Sequence, residues 1–322
     1  MKFTESTLKR YAAPLSDTEN QQCLNAIKMI RDALKGLGFS DENREIIPLY
    51  SDTYAYSLEM RRTKDWRKIK MFIQGSYANN TNVRTQSDVD IAVIQEETFQ
   101  PEYRIGQSGL DYGFSSSAVA SKSFKDEVQE CLTIKFGRDV KRGDKSIKVH
   151  GNTYRKDADT VPCMRYRDYR GDYRKDESNY VGGVVIFPDS GGRIINYPEQ
   201  HIANGRQKNV ATNHYYKKMV RIIKNMKLLM SNYGFPYAND VSSFGLESLL
   251  WNIPDEIFKK WGLYGFAFEE VLNYLQAHKA DFLTYKEANG IKSLCPTQTS
   301  AKTYENFIDI LVEFFEYDIN GA

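Results

Sequence analysis

Two carboxylates, Asp88 and Asp90, stand one residue apart at the mouth of the apolar run Ile91-Ala92-Val93-Ile94. Side chains two apart on a strand share a face. Like charges that close repel unless a cation lies between them. Magnesium fits such a place, because it takes oxygen ligands from one or two carboxylates together with phosphates and water. Just upstream, 68–74 reads as a strand entering Gly75-Ser76. A glycine lets backbone approach a phosphate closely, and the following amides and hydroxyl can donate to its oxygens. A third carboxylate is offered by Asp157 and Asp159; if their segment is a strand the two share a face, and spacing does not separate them. Gly-Ser alone is a common turn, and Asp-x-Asp alone is a common surface pattern. Their conjunction, with carboxylates at the entrance of a buried strand where desolvation penalises unpaired charge, points to nucleotidyl transfer. That reaction needs a held triphosphate, an activated hydroxyl and charge relief from two cations roughly 4 Å apart.

The elements that must position these groups are partly legible. A capping box at Ser16 and Glu19 opens a helix carried by Leu24, Ile27, Ile30 and Leu34 and stopped at Gly36 and Gly38. A second helix is expected over 50–62. Strands are expected at 68–74, 89–94, 146–150, 153–161, 183–187 and 193–197, with a helix near 120–136. Pro188-Asp189-Ser190-Gly191-Gly192 marks a hairpin between the last two strands. Helical periodicity then runs through 212–231, 243–251, 263–279 and 302–317. The expectation is an α+β chain: a catalytic lobe over 1–200 with a mixed β-sheet, and a helical lobe over 201–322, braced by a long N-terminal helix.

Composition narrows the class. The 322 residues are 27% charged and 41% hydrophobic with a formal net charge of +2, ordinary for a globular enzyme and no sign of a nucleic-acid coat. No apolar run is long enough to span a bilayer, and MKFTESTLKR is no secretory signal. Cys23, Cys131, Cys163 and Cys295 are scattered and read as reduced thiols of a cytoplasmic protein. The histidines His150, His201, His214 and His278 form no ligand pattern.

Gly75-Ser76-Tyr77 with Asn80-Thr81 and Ser87-Asp88-Val89-Asp90, followed by Asp159-Thr160-Val161-Pro162-Cys163, resembles the polymerase β-type nucleotidyltransferase superfamily. Within it, the chain most resembles the bacterial cGAS/DncV-like nucleotidyltransferases, which make cyclic oligonucleotide signals in anti-phage defence. The resemblance covers most of the chain. It selects Asp159 over Asp157, and it implies two Mg²⁺ ions (Mn²⁺ able to substitute) on Asp88, Asp90 and Asp159, with ATP, and UTP or GTP, as substrates. It also implies that Arg221 and Lys224 grip the donor triphosphate. Read from spacing, these two sit three apart with Lys217 on one helical face, which a solvated stripe would explain as well. By resemblance Ser243 touches phosphate and Phe244 stacks on a base; an N-cap and a core aromatic are the plain alternatives. The stretch Ile194-Ile195-Asn196-Tyr197-Pro198 through Asn209 resembles the pocket lining of the clade called E, where Asn196 would read a pyrimidine edge; a turn-capping asparagine is equally consistent.

Departures count too. No His-Cys-Cys-Cys cluster is present, so the zinc ribbon of the animal DNA sensor is lacking and activation by DNA is not expected. A monomer without a membrane partner is expected. The tail Tyr317-Asp318-Ile319-Asn320-Gly321-Ala322 resembles tails that a ubiquitin-ligase-like partner conjugates, although a frayed polar end has the same composition. The leading reading is a magnesium-dependent synthase that joins and cyclises ribonucleotides. Its rivals are template-free transfer to RNA, a protein or a small molecule, and an inactive nucleotide-binding scaffold.

Overall fold

The computed structural model describes residues 1–42, 44–50, 53–83, 88–115 and 123–321. In chain order the elements are β1 (Lys2–Phe3), α1 (Glu5–Ala12), α2 (Asp17–Lys35), β2 (Ile47–Pro48), β3 (Tyr56–Arg62), β4 (Arg67–Gln74), α3 (Gly75–Ala78) and β5 (Val89–Glu102). Then come α4 (Phe124–Phe136), β6 (Val140–Arg142), β7 (Ile147–Val149), β8 (Ala158–Asp168), β9 (Val181–Ile186) and β10 (Ile194–Asn196). The rest is helical: α5 (Pro198–Ala211), α6 (Tyr215–Asn232), α7 (Ser243–Trp251), α8 (Tyr264–Ala277) and α9 (Gln298–Phe314), closed by β11 (Glu316–Tyr317).

One mixed sheet organises the first half, in the order β10-β9-β8-β5-β4-β3-β2, with β7 also pairing β8 and β6 pairing β7. The pairing of β5 with β8 is parallel, and β4 and β9 run antiparallel to them on either side. Ile91 to Ile94 are fully buried, as expected for a strand covered on both faces. The capping box opens α2 as expected: Ser16 Oγ accepts from the Glu19 amide, and the Glu19 carboxylate accepts from the Ser16 amide at 3.0 Å. The β9–β10 hairpin also forms, with Ile194 opposite Ile186.

Three elements differ from expectation. Residues 56–62 form a strand, not a helix: Tyr56, Leu58 and Met60 are buried while the residues between them are not, a period of two. Their good helix formers masked that alternation, and strand pairing with β4 overrode propensity. The strand expected at 153–161 begins only at Ala158 and runs on to Asp168. The helix α5 was not foreseen, because Ile202 and Val210 are its only large aliphatic residues and give no apolar stripe. Pro198 in its first turn is the signal that could have found it.

The chain forms two compact units that interleave in sequence. A sheet unit holds 16–78 and 87–199; a helical unit holds 1–15, 79–86 and 200–322. The first fifteen residues go with the helices, and so does the segment between the Gly-Ser bend and the aspartate pair. The long helix α2 belongs to the sheet unit alone, whereas the short α1 packs in the helical unit. There Leu8 and Ala12 share a core with Val220, Ile223, Phe268 and Leu311.

Candidate active site

The sheet unit sets two of the predicted acidic residues on neighbouring strands. Asp90 lies opposite Asp159 in the parallel register of β5 and β8 and opposite Gln74 at the end of β4. Neighbouring strands stand about 4.8 Å apart and in-register side chains share a face, so these two carboxylates are lateral neighbours. Asp88 precedes β5 and belongs to the same row. The Val89 amide donates to the Asp157 carbonyl at 2.9 Å, tying the two strand starts together.

Gly75 opens α3 with φ +72°, and a Cβ there would lie 2.2 Å from Asp90 Oδ2. The glycine is thus required twice, by its left-handed backbone and by the carboxylate that fills the space beside it. Its absent side chain makes room for an aspartate, where the sequence had suggested room for a phosphate. The next residue but one fixes the bend: Tyr77 is fully buried, donates to Asn20 Oδ1 at 2.7 Å and stacks on Tyr54. Gly75→Ala is expected to keep the fold, and, with Asp90 expected to act in the chemistry, to lower kcat by roughly 100-fold, the cost of a displacement of about 1 Å. Steady-state kinetics on the folded variant checks this, and a wild-type rate would refute the cradle.

Lys148 is the residue that sequence reasoning missed. Its ammonium donates to Asp88 Oδ2 at 2.8 Å and approaches Asp157 Oδ2 at 2.9 Å, and its backbone stands in register with Asp159. Hydrogen bonding to Asp88 raises the Lys148 pKa above the ordinary lysine value. Asp157 is held below the usual carboxylate range: burial pushes it up, but the Gly151 amide and Lys148 outweigh that. Asp159 moves the other way. Burial raises its pKa, and Asp88 and Asp157 add to the rise against the opposing pull of Lys148.

A carboxylate whose folded pKa is raised stabilises the fold below its unfolded value and loses that contribution as pH climbs through the folded value. Asp159→Asn should therefore abolish turnover and yet raise the melting temperature of the ligand-free protein near pH 7, with the difference closing below about pH 4. Calorimetry across pH tests this; a lower melting temperature at neutral pH would contradict it.

Among the described residues no three His, Cys, Asp or Glu side chains already converge on one point. The donors present nevertheless fit a hard divalent cation. They are all carboxylate oxygens, and one of them already binds a positive charge, the Lys148 ammonium.

In the helical unit the expected basic face of α6 is not free. Lys217, Arg221 and Lys224 are 3%, 5% and 4% exposed. Arg221 Nε donates to the Ala12 carbonyl at 2.6 Å and Nη1 donates to the Asn80 carbonyl. Lys224 pairs with Glu247 at 2.8 Å and donates to Thr81. A helical projection shows which residues share a face but not what covers that face, here a segment some 140 positions earlier in the chain.

Ser242, not Ser243, caps α7, accepting from the Gly245 amide at 2.8 Å. Ser243 and Phe244 are exposed, with Phe244 at 38% set edge-on to His201. Asn196 is half-buried at the end of β10, opposite Val184. The downstream residues resembling pocket lining serve packing: Asn204 donates to the Ala288 carbonyl, Lys208 pairs with Asp255, and Asn209 accepts from the Lys217 amide. Of the Gly-Ser to Asp-x-Asp stretch, Ser87 lies outside the described residues.

Known proteins resemble this chain in sequence and fold. Residues 58–177 match the nucleotidyltransferase domain model, and residues 203–316 match the cGAS/DncV-like nucleotidyltransferase C-terminal helical domain. The chain is 45% identical over 318 residues to the cyclic GMP-AMP synthase CdnE03 of Staphylococcus schleiferi, covering 98% of each. It is 35% identical to the cyclic dipyrimidine nucleotide synthase CdnE of Legionella pneumophila, covering 90% of each. Its fold superposes on the Rhodothermus marinus CdnE c-UMP-AMP synthase, solved with Apcpp and Upnpp, with a TM-score of 0.74 and 28% identity over 99% of both chains. With Asp90 and Asp159 in register beside the Gly75 bend, and with both halves matched, the chain belongs to the cGAS/DncV-like nucleotidyltransferases and is an enzyme of that family.

Proposed function

We propose that this enzyme joins two ribonucleoside triphosphates, one of them ATP, and closes them into an adenosine-containing cyclic dinucleotide that serves as a second messenger in anti-phage signalling, releasing pyrophosphate at each step. The in-register Asp90–Asp159 pair, with Gly75 shaped around Asp90, carries this reading. The names of two relatives favour adenosine: one is a GMP-AMP synthase and the other a UMP-AMP synthase.

Asp88, Asp90 and Asp159 would hold two Mg²⁺ ions, which when bound stabilise charge on the transferring phosphoryl group. The remaining work falls to the chain itself. Asp159 takes the proton of the attacking ribose hydroxyl. Ser76 and the amides of the bend donate to the donor phosphates. Within the helical unit, the exposed Ser243 and Phe244 offer a hydroxyl and a ring face for phosphate and base. Asn196 presents an amide that can pair with a base edge using both donor and acceptor. A partner that conjugates the C-terminal tail belongs to the same reading.

The decisive experiment incubates the protein with all four labelled ribonucleotides and Mg²⁺. Phosphatase-resistant label with the mass of a cyclic dinucleotide is expected. Label appearing only on added RNA, protein or small molecule would replace this reading with simple transfer.

A further inference from the structure

One segment of the helical unit is held more tightly than its own preferences allow. Asn79, Thr81 and Asn82 are at most 2% exposed. Asn80 has φ +54°, a left-handed conformation that is unfavourable for a non-glycine residue. Asn80 Oδ1 and both polar side-chain atoms of Asn82 are buried without a hydrogen-bond partner, each of which opposes folding. A surrounding network over-determines this conformation. Glu247 accepts from the Thr81 hydroxyl at 2.7 Å, from Lys224 at 2.8 Å and from His201 at 2.9 Å. Lys224 also donates to the Thr81 carbonyl, Arg221 to the Asn80 carbonyl, and the Asn79 amide lies 2.8 Å from His201 Nε2. Glu247 is 1% exposed. Burial alone would raise its pKa, but Lys224 and His201 outweigh that and keep it ionised. Buried ion pairs tied together by hydrogen bonds fix geometry in a way that apolar packing does not.

In sequence Asn79 follows directly on the Gly75–Ala78 turn, whose Gly75 is shaped around Asp90. We propose that Lys224, Glu247, His201 and Arg221 are positioning residues for nucleotidyl transfer, acting through the clamped Asn79–Thr81 backbone on the Gly75 turn and so on the placement of Asp90 in the Asp88–Asp90 pair. This deepens the reading that those aspartates hold the divalent ions and rests on it.

The test compares Thr81→Val, which removes the hydroxyl shared by Glu247 and Lys224, with the conservative Thr81→Ser. For Thr81→Val we expect kcat to fall roughly 10- to 100-fold, the range that sub-ångström to 1 Å misplacement produces. The KM for nucleotide should stay within about twofold, since uniform binding is untouched. Mn²⁺ affinity, read by electron paramagnetic resonance without nucleotide, should weaken by a similar factor to kcat, and Thr81→Ser should restore both. Glu247→Gln, which keeps shape and removes charge, gives a second reading of the same split if Thr81→Val does not fold. Asp90→Asn is the control. If it binds Mn²⁺ like wild type, the aspartate reading itself fails. If Asp90→Asn loses Mn²⁺ while folded Thr81→Val and Glu247→Gln keep wild-type kcat and Mn²⁺ affinity and lose only melting temperature, the network is merely structural and the proposal is overturned.

Discussion

Asp90→Asn should lower kcat by roughly 1,000-fold or more while leaving circular dichroism and the melting curve near wild type. The magnitude follows from what the carboxylate supports. Metal stabilisation of a transferring phosphoryl group is worth several kcal/mol, and each 1.36 kcal/mol is tenfold in rate. The survival of the fold follows from position. Asp90 is half-buried at the strand mouth, while the core of β5 is made by its neighbours Val89 and Ile91 to Ile94. Asparagine also keeps the shape that Gly75 accommodates and removes one of the charges crowded into that row. Product formation from labelled triphosphates is the measurement. Turnover within about tenfold of wild type would remove Asp90 from the chemistry and leave only the fold assignment standing.

Lys224→Ala should be the most destabilising single change in the helical unit, costing about 3–5 kcal/mol, because it leaves Glu247 ionised, buried and short of its main partner. Glu247 and Lys224 are 1% and 4% exposed, so water does not readily take the place of the lost ammonium. Chemical denaturation checks the size, and a loss below about 1 kcal/mol would mean the pair is solvated after all. The pH dependence carries an independent sign. A carboxylate whose folded pKa is depressed stabilises the fold above its unfolded value and loses that contribution as pH falls through the folded one. Burial opposes the depression of Glu247, and Lys224 then His201 produce it. Wild-type stability should therefore decline as pH drops below the ordinary glutamate range. The decline should flatten in a double variant replacing both residues with apolar side chains of similar volume, a swap that is often neutral or even stabilising.

What could be read in advance follows period and proximity. Asp88 and Asp90 were legible because two residues on a strand entering Ile91–Ile94 share a face whatever surrounds them. Asp159 needed more: spacing left it level with Asp157, and only the parallel register of β5 and β8 sets it against Asp90. Lys148 was invisible. Ile147-Lys148-Val149 reads as any half-exposed strand until β7 is known to pair with β8. The basic face of α6 was read correctly as a face and wrongly as a free one, because its cover comes from residues 79–82. Residues 56–62 misled for the opposite reason: their composition suits a helix, and only pairing with β4 makes their alternation count. Local patterns announced themselves, whereas whatever depends on pairing across the chain did not.

The interleaving of the two units constrains how the molecule can be made. Leu8, near the start, shares its core with Val220, Phe268 and Leu311, and the Asn79–Thr81 segment finds its partners only at His201, Lys224 and Glu247. During synthesis the first fifteen residues must wait on the ribosome for almost the whole chain, while 16–78 and 87–199 can assemble their sheet in the meantime. The Asn79–Thr81 segment finds its last partner at Glu247, before the first fifteen residues can close on Leu311. A polypeptide halted ahead of Glu247 would thus carry a nearly finished sheet whose Gly75 turn still lacks the network that follows it.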